Sequence, residues 1–82
     1  MDKAKLRALV NGLLQTKDIR SVTSSEVDDI VDSLVNLGHP SASAVKDVML
    51  SSFKGFHRFL LESVDFSDSN YWIKQIVDIL NK

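Results

Sequence analysis

Apolar residues recur at the spacing of an α-helix in every segment long enough to show a period. The clearest run lies near the start of the chain, at relative positions i, i+3, i+4, i+7 and i+8: Leu6, Leu9, Val10, Leu13 and Leu14. This spacing puts one apolar face on a helix. No segment alternates apolar and polar residues over a strand's length. We therefore predict an all-α protein, a small bundle of four to five short amphipathic helices, with residues 1–82 as a single helical-bundle domain.

Capping signals predict the first two helices. The first helix is expected from about Asp2 to Gln15. The second should start at Ser24, because Thr23 and Glu26 have the spacing of a capping box. Gly38, which can adopt a left-handed conformation, should end it.

The middle of the chain allows two interpretations. A third helix starts near Ser41, and the serine pair before Gly55 predicts a break followed by a separate helix at about Lys54 to Ser63. A single kinked helix from Ser41 to Ser63 is the alternative.

The last helix is expected from its apolar residues at helical spacing: Trp72, Ile73, Ile76, Val77 and Leu80. Ser67 is a good N-cap in this sequence, and Phe66 and Tyr71 have the spacing of a hydrophobic staple around it. We therefore predict that the helix begins just after Ser67.

Composition limits how the bundle is held together and which classes of protein it can belong to. There is no cysteine, so 44% hydrophobic residues must supply the core by packing alone. With a net charge of −1, the chain lacks the positive electrostatic field of a typical nucleic-acid-binding protein. The longest apolar runs are three residues, so no membrane span is expected. With no secretory signal at the start, these features favour a cytoplasmic protein.

Catalytic and metal-binding motifs are not found in the sequence. The two histidines, His39 and His57, lie on different segments, and no zinc, phosphate-loop or dinucleotide pattern occurs. The stretch ending at Glu26 resembles the end of a calcium-binding EF-hand loop. The positions that need oxygen ligands there hold Lys17 and Ile19, and the glycine position holds Arg20. We expect no enzyme activity, no cofactor and no metal.

Four apolar blocks follow an order similar to that of the death-fold superfamily, caspase-recruitment domains in particular. The blocks are Leu13–Leu14, Thr23–Ile30, Ala44–Leu50 and Lys54–Leu60. The resemblance implies a bundle that assembles with its own kind. The spacing differs by two or three residues at two places, and the predicted helices are one fewer than the six of that family.

The charge is unevenly distributed along the chain. Residues 1–20 carry five basic and two acidic side chains, whereas residues 21–38 carry four acids and no base. One interpretation is that the first two helices pack antiparallel and offset each other's charge. The other is that Asp28, Asp29 and Asp32, which we call the acidic edge, bind a basic surface of a partner protein.

A second candidate surface combines basic and aromatic residues. Residues 53–59 read F-K-G-F-H-R-F. This short segment interleaves the basic side chains Lys54, His57 and Arg58 with the rings of Phe53, Phe56 and Phe59. Such a pattern can bind single-stranded nucleic acid when the rings are exposed. Helical spacing favours Phe53, Phe56 and either Phe59 or Leu60 in the core, with the bases in solvent.

We therefore expect a small regulator, adaptor or inhibitor that acts by protein–protein binding, and size alone suggests a phage or mobile-element type. We expect the partner to be another protein with a basic surface, or a second copy of the chain in a homo-oligomer. The alternatives are a nucleic-acid-associated regulator that uses the basic first helix and the Lys54–Arg58 segment, and a death-fold-like self-assembling domain.

Overall fold

The computed structural model describes residues 2–19 and 21–82. Arg20, counted among the bases of the first segment and in the calcium-loop comparison, lies outside the described residues. Within them the chain forms five helices and no strand: α1 (Lys3–Thr16), α2 (Ser24–Val35), α3 (Ala42–Ser52), α4 (Gly55–Glu62) and α5 (Tyr71–Leu80). The all-α prediction is confirmed.

Side-chain caps start three of these helices where the sequence predicted. At α2 the Thr23 hydroxyl accepts from the Glu26 amide at 3.1 Å, and the Glu26 carboxylate accepts from the Thr23 amide at 3.3 Å. This is the predicted capping box. Asp2 caps α1 and Ser41 caps α3 in the same way, through the amides three residues on. Gly38 has the predicted left-handed conformation, with φ +77°. It lies one residue later than the predicted C′ position, because α2 ends at Val35 with Asn36 as its C-cap.

The predicted start of α5 is wrong by three residues. Asn70 is the N-cap, and its side-chain oxygen accepts from the amides of Trp72 and Ile73 at 2.9 and 3.2 Å. Ser67 instead closes a turn, because its carbonyl accepts from the Asn70 amide at 3.1 Å. Tyr71 is then the first helical residue and is 64% exposed, so it does not form the predicted staple. One asparagine satisfying two orphan amides outcompetes the serine three residues earlier.

The core is apolar throughout. The predicted face of α1 is buried, as are the main apolar positions of α2 and α5. None of the described residues with a polar or charged side chain is buried. Within the described core, apolar packing is therefore the source of stability.

The helices differ in how many neighbours they have. α1 packs against α2 and α5, and α3 packs against α2, α4 and α5. α4 has its main contacts with α3 alone, so it lies at the rim of the bundle. None of the helices is long and apolar enough to cross a membrane, among the residues described.

Candidate functional site

The chain break before α4 determines which way that helix faces. The hydroxyls of Ser51 and Ser52 both donate to the Val48 carbonyl, at 3.0 and 2.8 Å, and α3 ends there. Phe53 and Lys54 are extended, and Gly55 begins α4 with φ +63°. Two separate helices are therefore present, and the alternative of one kinked helix is wrong.

The inward edge of α4 is formed by His57 and Leu61, which are one helical turn apart. Leu61 is completely buried. A hydrogen bond of 2.9 Å joins His57 Nε2 to Ser21 Oγ in the connection between α1 and α2. The imidazole also lies edge-on to the buried Phe53 ring, with centroids 6.1 Å apart. These contacts fix the rotation of α4 about its own axis.

Phe56 and Phe59 lie on the outward side of α4 as a consequence. Their rings are 69% and 66% exposed and stack on each other, with centroids 6.1 Å apart and planes 19° from parallel. The prediction that Phe56 is in the core is therefore wrong. Of the two alternatives Phe59 and Leu60, Leu60 packs against the core. Only Phe53 of the aromatic series is buried, at 4% exposure.

The break explains this difference between sequence and structure. The predicted apolar stripe through Phe53, Phe56 and Phe59 assumed one continuous helical phase. Because Phe53 and Lys54 are extended, the phase restarts at Gly55, and Phe53 is no longer on the same face as the two later rings.

The three residues of the second candidate surface, Lys54, His57 and Arg58, do not share one face in the structure. Lys54 precedes the helix, so it is not a helical i, i+4 neighbour of Arg58, and it is exposed with no ion pair to a described residue. Arg58 donates to Glu62 at 3.2 Å and to the Leu50 carbonyl of α3 at 3.4 Å. His57 turns inward. The structure therefore separates Lys54, His57 and Arg58 into three different environments.

We define the α4 surface as Lys54, Phe56, Phe59 and Glu62. All four side chains are exposed. The surface has a basic residue at the N-terminal end of the helix, two phenyl rings in the middle and an acidic residue at the C-terminal end.

The acidic edge has a different environment. Asp28 forms an ion pair with Arg7, and Asp32 one with Lys3 at 3.4 Å between Nζ and Oδ1. The earlier residue of α1, Lys3, thus pairs with the later residue of α2, Asp32, and the later Arg7 with the earlier Asp28, so the two helices run antiparallel. Asp29 makes no ion pair with the residues described. Bases from α1 offset two of the three acids, as the packing interpretation of the charge pattern proposed.

Two further exposed apolar residues lie elsewhere on the molecule. Leu37 is 38% exposed, and Tyr71, also exposed, packs edge-on against Trp72 with ring centroids 5.2 Å apart. Single exposed apolar residues are normal on a protein surface. Two stacked phenyl rings without a polar atom are the larger departure.

Metal-binding groups are not brought together in the part of the chain that is described. No cluster of three histidine, aspartate or glutamate side chains is arranged to hold an ion there. Ile19, at a ligand position of the calcium-loop comparison, is 3% exposed and faces the core.

The resemblance to the death-fold superfamily is limited to the order of four sequence blocks. The described residues form five helices, one fewer than the six of that family. No family model matches the chain, and neither a curated protein nor a solved structure has significant similarity to it.

Proposed function

We propose that this chain is a non-catalytic protein-binding module, a cytoplasmic regulator, adaptor or inhibitor, and that the α4 surface is its main contact surface. The exposed, stacked pair of Phe56 and Phe59 is the observation that carries the proposal. Phenylalanine is among the aromatic residues that are enriched at the core of protein–protein interfaces.

The geometry of the ring pair suits binding. Each phenyl side chain has only two rotatable bonds, and the stacking contact already holds one ring against the other. Little conformational freedom is then lost when a partner covers them. The helix beneath is held by Leu61 and by the hydrogen bond between His57 and Ser21. A rigid apolar centre with charged ends is typical of a contact surface.

Exposed rings also meet one requirement of a single-stranded nucleic-acid site, which is the alternative function. The charges favour protein binding. Lys3 and Arg7 of the basic first helix pair with acids of α2, and Arg58 pairs with Glu62. Near the rings this leaves Lys54 as the base without an ion pair among the described residues. Such a surface lacks the basic groove that follows a phosphate backbone.

The acidic edge remains a second candidate for partner contact. Its three carboxylates are exposed, and surface ion pairs of this kind are weak enough to be exchanged for contacts with a partner. It would then add on-rate and specificity to binding by the rings.

The test compares protein capture by two variants. The double variant Phe56→Ser/Phe59→Ser removes the apolar centre, whereas Tyr71→Ser removes an equally exposed aromatic on α5 and serves as the matched control. Tagged chains are used to capture proteins, including untagged copies of the chain, from the cells that encode it. We expect the double variant to lose the captured proteins and Tyr71→Ser to keep them.

Equal capture by the double variant and the wild-type chain would show that the rings are not the contact surface. Binding of single-stranded DNA or RNA that depends on the rings and weakens steeply with salt would favour the nucleic-acid alternative. Melting curves of both variants serve as the control that each variant is folded.

A further inference from the structure

We propose that the α4 surface binds a second copy of the same chain, with the two α4 helices antiparallel across a two-fold axis. The inference rests on the proposed function and names the partner of that surface. Its basis is that the α4 surface is complementary to itself in this one orientation.

The apolar centre of the α4 surface, Phe56 and Phe59, is complementary to itself. In an antiparallel pair with the axis midway between the two rings, Phe56 of one copy lies opposite Phe59 of the other, and the reverse contact is made by symmetry. Four rings then form one cluster. The stacked geometry seen within one copy leaves an outer face of each ring free for this contact.

The charges are self-complementary in the same orientation. Lys54 is at the N-terminal end of α4 and Glu62, which already pairs with Arg58 of its own helix, is at the C-terminal end. An antiparallel pair brings Lys54 of each copy beside Glu62 of the other, where the exposed carboxylate can accept from both bases. Parallel pairing about a two-fold axis would place lysine beside lysine and glutamate beside glutamate. The dipoles of the helices also favour the antiparallel orientation.

The size of the surface indicates how strong the dimer is. An aromatic side chain offers about 150–250 Å² for burial. The two rings are about two-thirds exposed, so they supply roughly 200–330 Å² per copy. A standard interface buries about 800 Å² per partner. We therefore expect a weak, reversible dimer, with a dissociation constant on the order of 100 μM.

The first test measures the mass of the purified chain by sedimentation equilibrium over about a hundred-fold range of concentration around the expected dissociation constant. The wild-type chain and the Tyr71→Ser variant should shift from monomer to dimer as concentration rises. The Phe56→Ser/Phe59→Ser variant should stay monomeric. A wild-type chain that is monomeric throughout the range would overturn the proposal.

The second test uses charge reversal and does not depend on the rings. Lys54→Glu alone and Glu62→Lys alone each place like charges at both ends of a homodimer, and each should weaken it roughly tenfold. An equal mixture of the two variants restores opposite charges at both ends, so the mixed dimer should be as tight as the wild-type dimer. Glu62→Lys also removes the ion pair with Arg58, which Lys54→Glu leaves in place.

A mixture no tighter than either variant alone would overturn the antiparallel pairing. Failure of this inference is distinguishable from failure of the proposed function. A monomeric purified chain that still captures other proteins through its rings overturns self-association and leaves the α4 surface as a contact surface.

Discussion

Gly12 of α1 lies against the indole ring of Trp72 of α5, and no side chain fits between them. A Cβ atom placed on Gly12 would come closer than 3.0 Å to three ring atoms of Trp72: Cζ3, Cη2 and Cε3. Glycine inside a helix costs about 1 kcal/mol relative to alanine. The close approach of α1 and α5 that glycine permits here offsets this cost.

Gly12→Ala is therefore expected to lower the free energy of unfolding. Overpacking against Trp72 should cost about 1–3 kcal/mol, and the gain in helix propensity returns about 1 kcal/mol, leaving a net loss of about 1 kcal/mol. In a Trp72→Leu background the sign should reverse, because the obstructing ring is gone. Urea denaturation of the wild type, the two single variants and the double variant measures the coupling energy between positions 12 and 72. Gln15→Ala on the exposed side of α1 is the control. A Gly12→Ala chain more stable than wild type would contradict the packing described here.

Gly55 should tolerate asparagine better than alanine. Its φ of +63° lies in the left-handed region, and nothing lies within 4 Å of an added Cβ, so backbone conformation alone decides the outcome. Gly55→Ala is expected to cost about 1–2 kcal/mol, and Gly55→Asn less, since asparagine enters this region more readily. Thermal melts of the two variants give the comparison. Equal stability of the two would mean that the chain turns differently before α4.

Thr23→Ala and Leu34→Ala compare a cap with a core residue in α2. Removing the Thr23 hydroxyl loses the acceptor for the Glu26 amide and should cost about 1 kcal/mol. Leu34 is completely buried, and its truncation should cost about 2–5 kcal/mol through lost burial and a cavity. Denaturant midpoints of both variants provide the measurement. If Leu34→Ala lowered the free energy of unfolding less than Thr23→Ala, the buried face of α2 would not be the one that contains Leu34.

Replacing Asp28, Asp29 and Asp32 together with asparagine should leave the fold intact. The triple variant loses two exposed ion pairs to α1, which are expected to contribute about 0–1 kcal/mol each. If the acidic edge contacts a basic partner, association should slow at low salt and become less dependent on salt. Asp29→Asn alone, which breaks no ion pair with a described residue, is the control for stability. Binding kinetics at two ionic strengths give the result, and unchanged association would leave the acids as a solvated surface.

Calcium and zinc should leave the melting temperature unchanged. A ligand that binds the folded state raises stability by mass action. Glu26 is the glutamate of the calcium-loop comparison. Its carboxylate instead accepts hydrogen bonds from the amide and the hydroxyl of Thr23, as part of the capping box of α2. Calorimetric scans with and without micromolar metal test this, with a chelator as the reference. A saturable rise in melting temperature would reveal a site.

Local sequence signals predicted the order and type of the elements. Thr23 with Glu26, Ser41 and Gly38 act over three or four residues, so their effects need no knowledge of the rest of the chain. The serine pair before Phe53 acts locally too, and the break it predicted is present. Competition between two local caps, Ser67 and Asn70, was the exception. Both have good N-cap chemistry, and the number of amides that each can satisfy decided the outcome.

The sequence alone thus determined an all-α chain with helices at these places, because periodicity and capping are properties of neighbouring residues. Only the tertiary structure decided which side of α4 faces the core. That rotation depends on Leu61 finding a buried place and on His57 reaching Ser21, 36 residues away in the chain. Since α4 has apolar residues on more than one side, its sequence allows more than one inward face. Contacts with distant residues selected the one that leaves Phe56 and Phe59 exposed.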